Sequence, residues 1–109
     1  MKLRQSQDPS LRWEEFARTD PQFYIDPNLG SAVTAEEFIA GGHDLVDRML
    51  SWAGDLCSYE RALDIGCGLG RYTLHLARHF THVDGVDISP TMLRRACEAG
   101  MPSNVELHL

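Results

Sequence analysis

The sequence predicts an α/β fold, a parallel β-sheet flanked by helices and preceded by a helical extension. Three observations carry that prediction. An apolar run, Ala62 to Ile65, opens into glycines at alternate positions, Gly66, Gly68 and Gly70. A helical pattern follows at once from Tyr72 to Phe80, and a second strand-like run, His82 to Val86, ends on Asp87. Ser89-Pro90 then opens another helix, with serine as N-cap and proline at the first helical position. Strand, glycine loop, helix, strand, acid and helix together make a βαβ nucleotide-binding half.

Taken in order, the chain first offers a helix start at Asp8-Pro-Ser10, with Leu11, Trp13, Phe16 and Ala17 near one face up to Arg18. Pro21 ends it, because the residue before a proline avoids the α region. Phe23-Tyr-Ile25 is a short aromatic run closed by the turn cluster Asp26-Pro-Asn-Leu-Gly30. It reads as a collar packed by aromatic anchors, or else Trp13, Phe23 or Tyr24 lines a pocket. Thr34-Ala-Glu-Glu37 is a capping box. The helix behind it carries Phe38, Ile39, Leu45, Val46, Met49 and Leu50 at helical spacing to about Trp52. Gly41-Gly42 interrupts this pattern at about 1 kcal/mol per glycine relative to alanine, which points to a kink or to close packing. His43 is expected to be an exposed helix residue. Residues 53–60 link to the first strand, about 61–66.

Beyond the glycine loop, Leu76, Ala77 and Phe80 form a stripe that would pack on the sheet. The second strand spans about 82–87. The next helix turns Met92, Leu93, Ala96 and Cys97 inward and Arg94 and Arg95 outward, with Gly100 as C-terminal cap. Asn104 to Leu109 alternates as a third strand would. His75 and His79, four apart, are geometrically able to share a metal. With no carboxylate in their own turn, no metal site is expected.

The chain has 109 residues, 43% hydrophobic and 24% charged, ordinary for a soluble domain. Its net charge of −6 argues against binding a phosphate backbone, so no nucleic-acid partner is expected. The polar N-terminus has no signal-peptide core, and no apolar run approaches membrane-spanning length. Cys57, Cys67 and Cys97 are odd in number and widely spaced, as free thiols in a reducing cytoplasm would be. A cytoplasmic protein is therefore expected.

The glycine register discriminates between cofactors. In the dinucleotide fingerprint G-x-G-x-x-G the last glycine falls at Arg71 when counted from Gly66 and at Thr73 when counted from Gly68, so the fingerprint fails both ways. Asp64-x-Gly66-x-Gly68-x-Gly70 instead resembles motif I of the class I S-adenosylmethionine-dependent methyltransferases. Val86-Asp87-Ile88-Ser89-Pro90-Thr91-Met92-Leu93 resembles that family's second motif, and the likeness covers about residues 61–109. The resemblance implies a Rossmann-like sheet and S-adenosyl-L-methionine as cofactor. It further implies Asp64 near the cofactor's amino group, the loop Gly66-Cys67-Gly68-Leu69-Gly70 along methionine and ribose, Asp87 on the ribose hydroxyls, and Ile88 on the adenine. Asp87 lies 17 residues after Gly70, close to the spacing of about 20 at which a strand-end acid reaches a ribose. Trp13 to Ile25 also looks like N-terminal extensions on some small-molecule methyltransferases of this class.

Two regions are expected: residues 1–58 as an N-terminal helical extension or lid, and 59–109 as an incomplete cofactor-binding domain, truncated after its third strand. In the family the sheet continues and the acceptor site lies largely beyond, so the chain reads as the N-terminal part of a longer protein. The function expected is methyl transfer from S-adenosylmethionine to a small molecule, with no catalytic residue identified. The alternative is a regulatory domain that binds the same ligand without turnover. A nicotinamide-dependent oxidoreductase is disfavoured by Arg71 and Thr73.

Overall fold

Three parallel strands in the order β1-β2-β3 form the sheet, in a computed structural model that describes residues 8–26, 33–56 and 58–109 without the side chains of Phe23 and Leu56. Cys57, the residues before Asp8 and the turn cluster at 27–30 lie outside the described residues. The strands are β1 (Arg61–Ile65), β2 (His82–Val86) and β3 (Val105–His108). Arg61 pairs with His82 and Ile65 with Val86, while Val83 pairs with Val105 and Val86 with His108. The Rossmann-like α/β architecture expected from the glycine loop is therefore present, with each strand within a residue or two of its expected bounds.

The helices are α1 (Pro9–Arg18), α2 (Pro21–Ile25), α3 (Ala35–Ala53), α4 (Thr73–Leu76) and α5 (Pro90–Ala99). Asp8 caps α1 by accepting from the Ser10 N–H, Thr34 and Glu37 form the capping box of α3, and Ser89 caps α5 through the Met92 N–H. The aromatic run at 23–25 falls in the short helix α2, which the sequence did not suggest. The helix expected over 72–80 is regular only at Thr73–Leu76. Beyond it the Arg78 and His79 N–H groups bond three residues back, to His75 and Leu76, the tighter pattern of a closing turn.

Gly41-Gly42 does not break α3, which runs through to Ala53. A Cβ at Gly42 would stand 2.8 Å from the Arg71 carbonyl oxygen and 2.6 Å from Arg71 Cγ. The glycines let Arg71, the residue after the glycine loop, pack against the helix backbone.

The core gathers Phe38 and Val46 of α3, Phe80, Val83 of β2, Met92 and Ala96 of α5, and Ala17 of α1. Several expected inward residues are not buried. Leu11, Leu45 and Met49 are exposed, as is Cys97. Leu63 and Ile65 on β1 are 60% and 79% exposed, an apolar surface of the kind expected where a parallel sheet is left uncovered. No described helix is long and apolar enough to cross a membrane.

Candidate functional site

A cavity of about 420 Å³ opens where β1 and β2 end, a size within the roughly 300–1,000 Å³ usual for small-ligand sites. Its wall contains Ile65, Gly66, Cys67, Gly68 and Leu69 from the end of β1, Val86, Asp87 and Ile88 from the end of β2, and Met92 of α5. Arg71 and Tyr72 close it behind the loop, and Trp13 of α1 and Ile25 of α2 close it from the N-terminal side. Carboxyl ends of parallel strands are where open α/β sheets hold ligands.

The loop is shaped by its backbone. Gly66, Gly68 and Gly70 all have positive φ, at 76°, 52° and 84°, a region that glycine enters without steric cost. The Gly66 and Cys67 N–H groups donate to the Val86 carbonyl, which ties the start of the loop to the tip of β2. The missing Cβ matters differently at each glycine. At Gly66 it would meet nothing within 4 Å. At Gly68 it would lie 3.4 Å from Ile25 Cδ1, and at Gly70 it would run into Met101 Cε at 2.6 Å. Gly68 is thus turned towards α2, and the open position in the loop is Gly66.

Asp87 is the hub of the site. Its Oδ2 accepts from the Gly68 N–H at 2.8 Å and its Oδ1 from the Ser89 N–H at 2.9 Å. One carboxylate therefore joins the glycine loop to the start of α5, and each oxygen retains a second lone pair for a ligand donor. Ile88 beside it is half exposed in the cavity wall.

Asp64 and Gly70, expected in the site from the motif, do not line the cavity. Asp64 accepts from the Thr73 hydroxyl at 2.6 Å and holds the beginning of α4 to the end of β1. Burial raises the Asp64 pKa above its ordinary value; the Thr73 hydrogen bond partly counters this, and the nearby Asp87 charge adds to the rise. Cys67 is buried, and burial, followed by the charges of Asp64 and Asp87, pushes its thiol up to about 12. It stays protonated near neutral pH and packs rather than reacts. Its room comes from Gly85 of β2, where a Cβ would stand 3.1 Å from Cys67 Sγ and 2.7 Å from Leu107 Cδ2.

Two participants escaped the motif reading. Arg71 is buried, donates to Asp26 at 3.0 Å, and sits over the rings of Phe38 and Tyr72. Glu14 of α1 reaches the N-terminus of α5, accepting from the Thr91 N–H at 2.8 Å, the Thr91 hydroxyl at 2.7 Å and the Ser89 hydroxyl. Those hydrogen bonds, Ser89 first, hold its carboxyl at about 2. Of the aromatic residues offered as pocket lining, Trp13 lines the cavity one position before Glu14, whereas Tyr24 stacks on Phe16 at 3.8 Å. The helical pattern around residue 14 gave no sign that a surface glutamate would cap another helix.

The histidines are arranged differently from expectation. His43 is half buried and stacks on His75 with ring centroids 4.3 Å apart. Burial, then the neighbouring His75 charge, draws its imidazole below the ordinary value. The carboxylate missing from the turn of His75 and His79 comes from α3, as Asp47.

This loop, acid and sheet define a class of nucleotide-type α/β domain. Residues 62–109 match the family model described as a methyltransferase domain, and this part of the chain has the class I fold of the S-adenosylmethionine-dependent methyltransferases. Among relatives, the chain is 40% identical over 78 residues to a 23S rRNA (uracil(1939)-C(5))-methyltransferase of Hahella chejuensis, covering 66% of this chain and 18% of the relative. Among solved structures, an amino pentose methyltransferase from Micromonospora echinaspora, bound to S-adenosylmethionine, is 29% identical with a TM-score of 0.53, covering 78% of this chain and 33% of that one. A methyltransferase from Anabaena variabilis shares the fold over 100% of this chain and 43% of its own, at 20% identity and a TM-score of 0.63. The chain spans about a fifth of the length of these curated relatives.

Proposed function

We propose that this chain supplies the S-adenosylmethionine site of a methyltransferase. The observation that carries the reading is the cavity at the ends of β1 and β2, where the open Gly66 position and the Asp87 carboxylate face one space. Gly66, Cys67 and Gly68 would line the methionine and ribose, Asp87 would accept from the ribose hydroxyls, and Ile88 would pack on the adenine. Asp64 and Gly70 act one step back, by holding the loop in shape. The cofactor brings an electrophilic methyl group on a sulfonium. The residues of this chain bind and orient it, and such positioning accounts for much of a direct transfer.

For the acceptor we adopt a small molecule. The net charge of −6 supports this, since a phosphate backbone calls for a basic face. The second reading is an RNA acceptor, favoured by the 40% identical relative named for an rRNA uracil. Calorimetry of the full-length protein with S-adenosylhomocysteine tests the cofactor assignment, and no binding at millimolar ligand would sink it. Incubation with labelled S-adenosylmethionine then separates the acceptors. Label in ribosomal RNA replaces the small-molecule reading, and label in a low-molecular-weight extract supports it.

A further inference from the structure

We propose that Asp47 of α3, with His75 and His79 of α4 and its closing turn, forms a zinc site that clips the two segments together away from the cofactor cavity. His75 Nε2 lies 2.6 Å from Asp47 Oδ1, and His79 Nε2 lies 3.6 Å from the same oxygen. The three candidate ligand atoms all fall within 4.8 Å of one another. Ligand atoms around a tetrahedral zinc, each at about 2.0–2.1 Å, sit about 3.3 Å apart. The present geometry reaches that arrangement if the His75–Asp47 contact opens by less than an ångström and the two imidazole nitrogens, within 4.8 Å of each other, come to a similar separation.

The local backbone supports the pair. The Ala77 N–H donates to the Thr73 carbonyl and the Phe80 N–H to Leu76, so His75 and His79 project from successive turns of one helical segment. His75 is buried, and its ring is held between His43 and His79, with centroids 4.3 and 5.0 Å away. Its orientation is therefore set before any ion arrives. Its Nδ1 has no hydrogen-bond partner among the described residues, which leaves the tautomer free to place the lone pair on Nε2. Asp47 and His79 are open to solvent, giving an ion an entry path and positions for water. Two imidazoles and one carboxylate form a donor set suited to zinc.

A second cluster, His82, Asp84 and Glu106, has comparable spacing but a different charge balance. There the Arg61 guanidinium donates to Asp84 at 2.8 Å and occupies the carboxylate with a fixed positive charge. That cluster serves as the control.

The test uses untagged full-length protein, stripped with chelator and titrated with zinc chloride by calorimetry, with melting temperature read in parallel. One zinc per chain at micromolar affinity or tighter, and a higher melting temperature with the metal, are expected. Asp47→Ala and His79→Ala should each weaken that binding at least tenfold while the metal-free melting temperature stays near the parent's, since both side chains are at the surface. His82→Ala should leave it unchanged. Absence of binding in the parent, affinity indifferent to Asp47 and His79, or loss on His82→Ala would each overturn the assignment.

Discussion

Asp87 and Gly68 are joined across 19 residues by a 2.8 Å hydrogen bond from the loop N–H to the carboxylate at the end of β2. The acid that the motif assigns to a ligand is thus also the bracket that holds the glycine loop. Its second oxygen does the same for the first turn of α5 through Ser89.

Asp87→Ala is therefore expected to act twice. Hydrogen bonds to a charged group contribute about 1.5–3 kcal/mol each, so affinity for S-adenosylhomocysteine should fall at least about tenfold. The melting temperature should fall as well, because two backbone N–H groups lose their acceptor. Titration calorimetry and thermal unfolding of the full-length protein read the two effects separately. Unchanged affinity in a folded variant would remove Asp87 from the ligand.

Gly66 and Gly70 should separate binding from stability. Both have positive φ, which costs a residue with a Cβ about 1–2 kcal/mol. The methyl of Gly66→Ala enters open space in the cavity wall, so ligand affinity should drop more than stability does. The methyl of Gly70→Ala points away from the cavity at the movable tip of Met101, so the positive φ should lower stability while the folded fraction still binds. Affinities measured well below each melting temperature decide the matter, and equal affinity for Gly66→Ala and parent would take the loop out of contact with the ligand.

Gly42→Ala reverses an ordinary rule. In a free helix that change gains about 1 kcal/mol. Here the new methyl meets the Arg71 backbone oxygen at 2.8 Å, and backbone cannot swing aside as a side-chain tip can. A net loss of about 1–3 kcal/mol is expected in denaturant unfolding. A stabilised variant would mean that α3 and the glycine loop are not in contact in solution.

Glu14 gives the docking of α1 on α5 a pH dependence. Its carboxyl is held at about 2 in the folded chain, below its ordinary 4.5. Its contribution is complete above about pH 4.5 and is lost as pH falls towards 2. Loss of a helix cap costs about 1 kcal/mol, so Glu14→Gln should lower the melting temperature at neutral pH and converge with the parent in acid. A difference independent of pH across that interval would show that the charge of Glu14 is not what holds α1.

What the sequence by itself determined is local. Alternating glycines after an apolar run, the Ser89-Pro90 start and the Thr34–Glu37 box each specify a backbone path within a few residues, and all three appear where they were expected. The strands and their parallel order follow from the same chemistry, because a helix between two short apolar runs returns the chain in the same direction. The tertiary structure decided which groups meet. It put Asp64 behind the loop on Thr73 rather than in the cavity, and turned Gly68 towards α2 while leaving Gly66 open. It gave the Gly41-Gly42 pair a partner in Arg71, brought Glu14 to α5, and carried Asp47 to two histidines 28 and 32 residues on. Each of these depends on side-chain directions set by packing between elements distant in the chain, and no periodicity or spacing within one element encodes them.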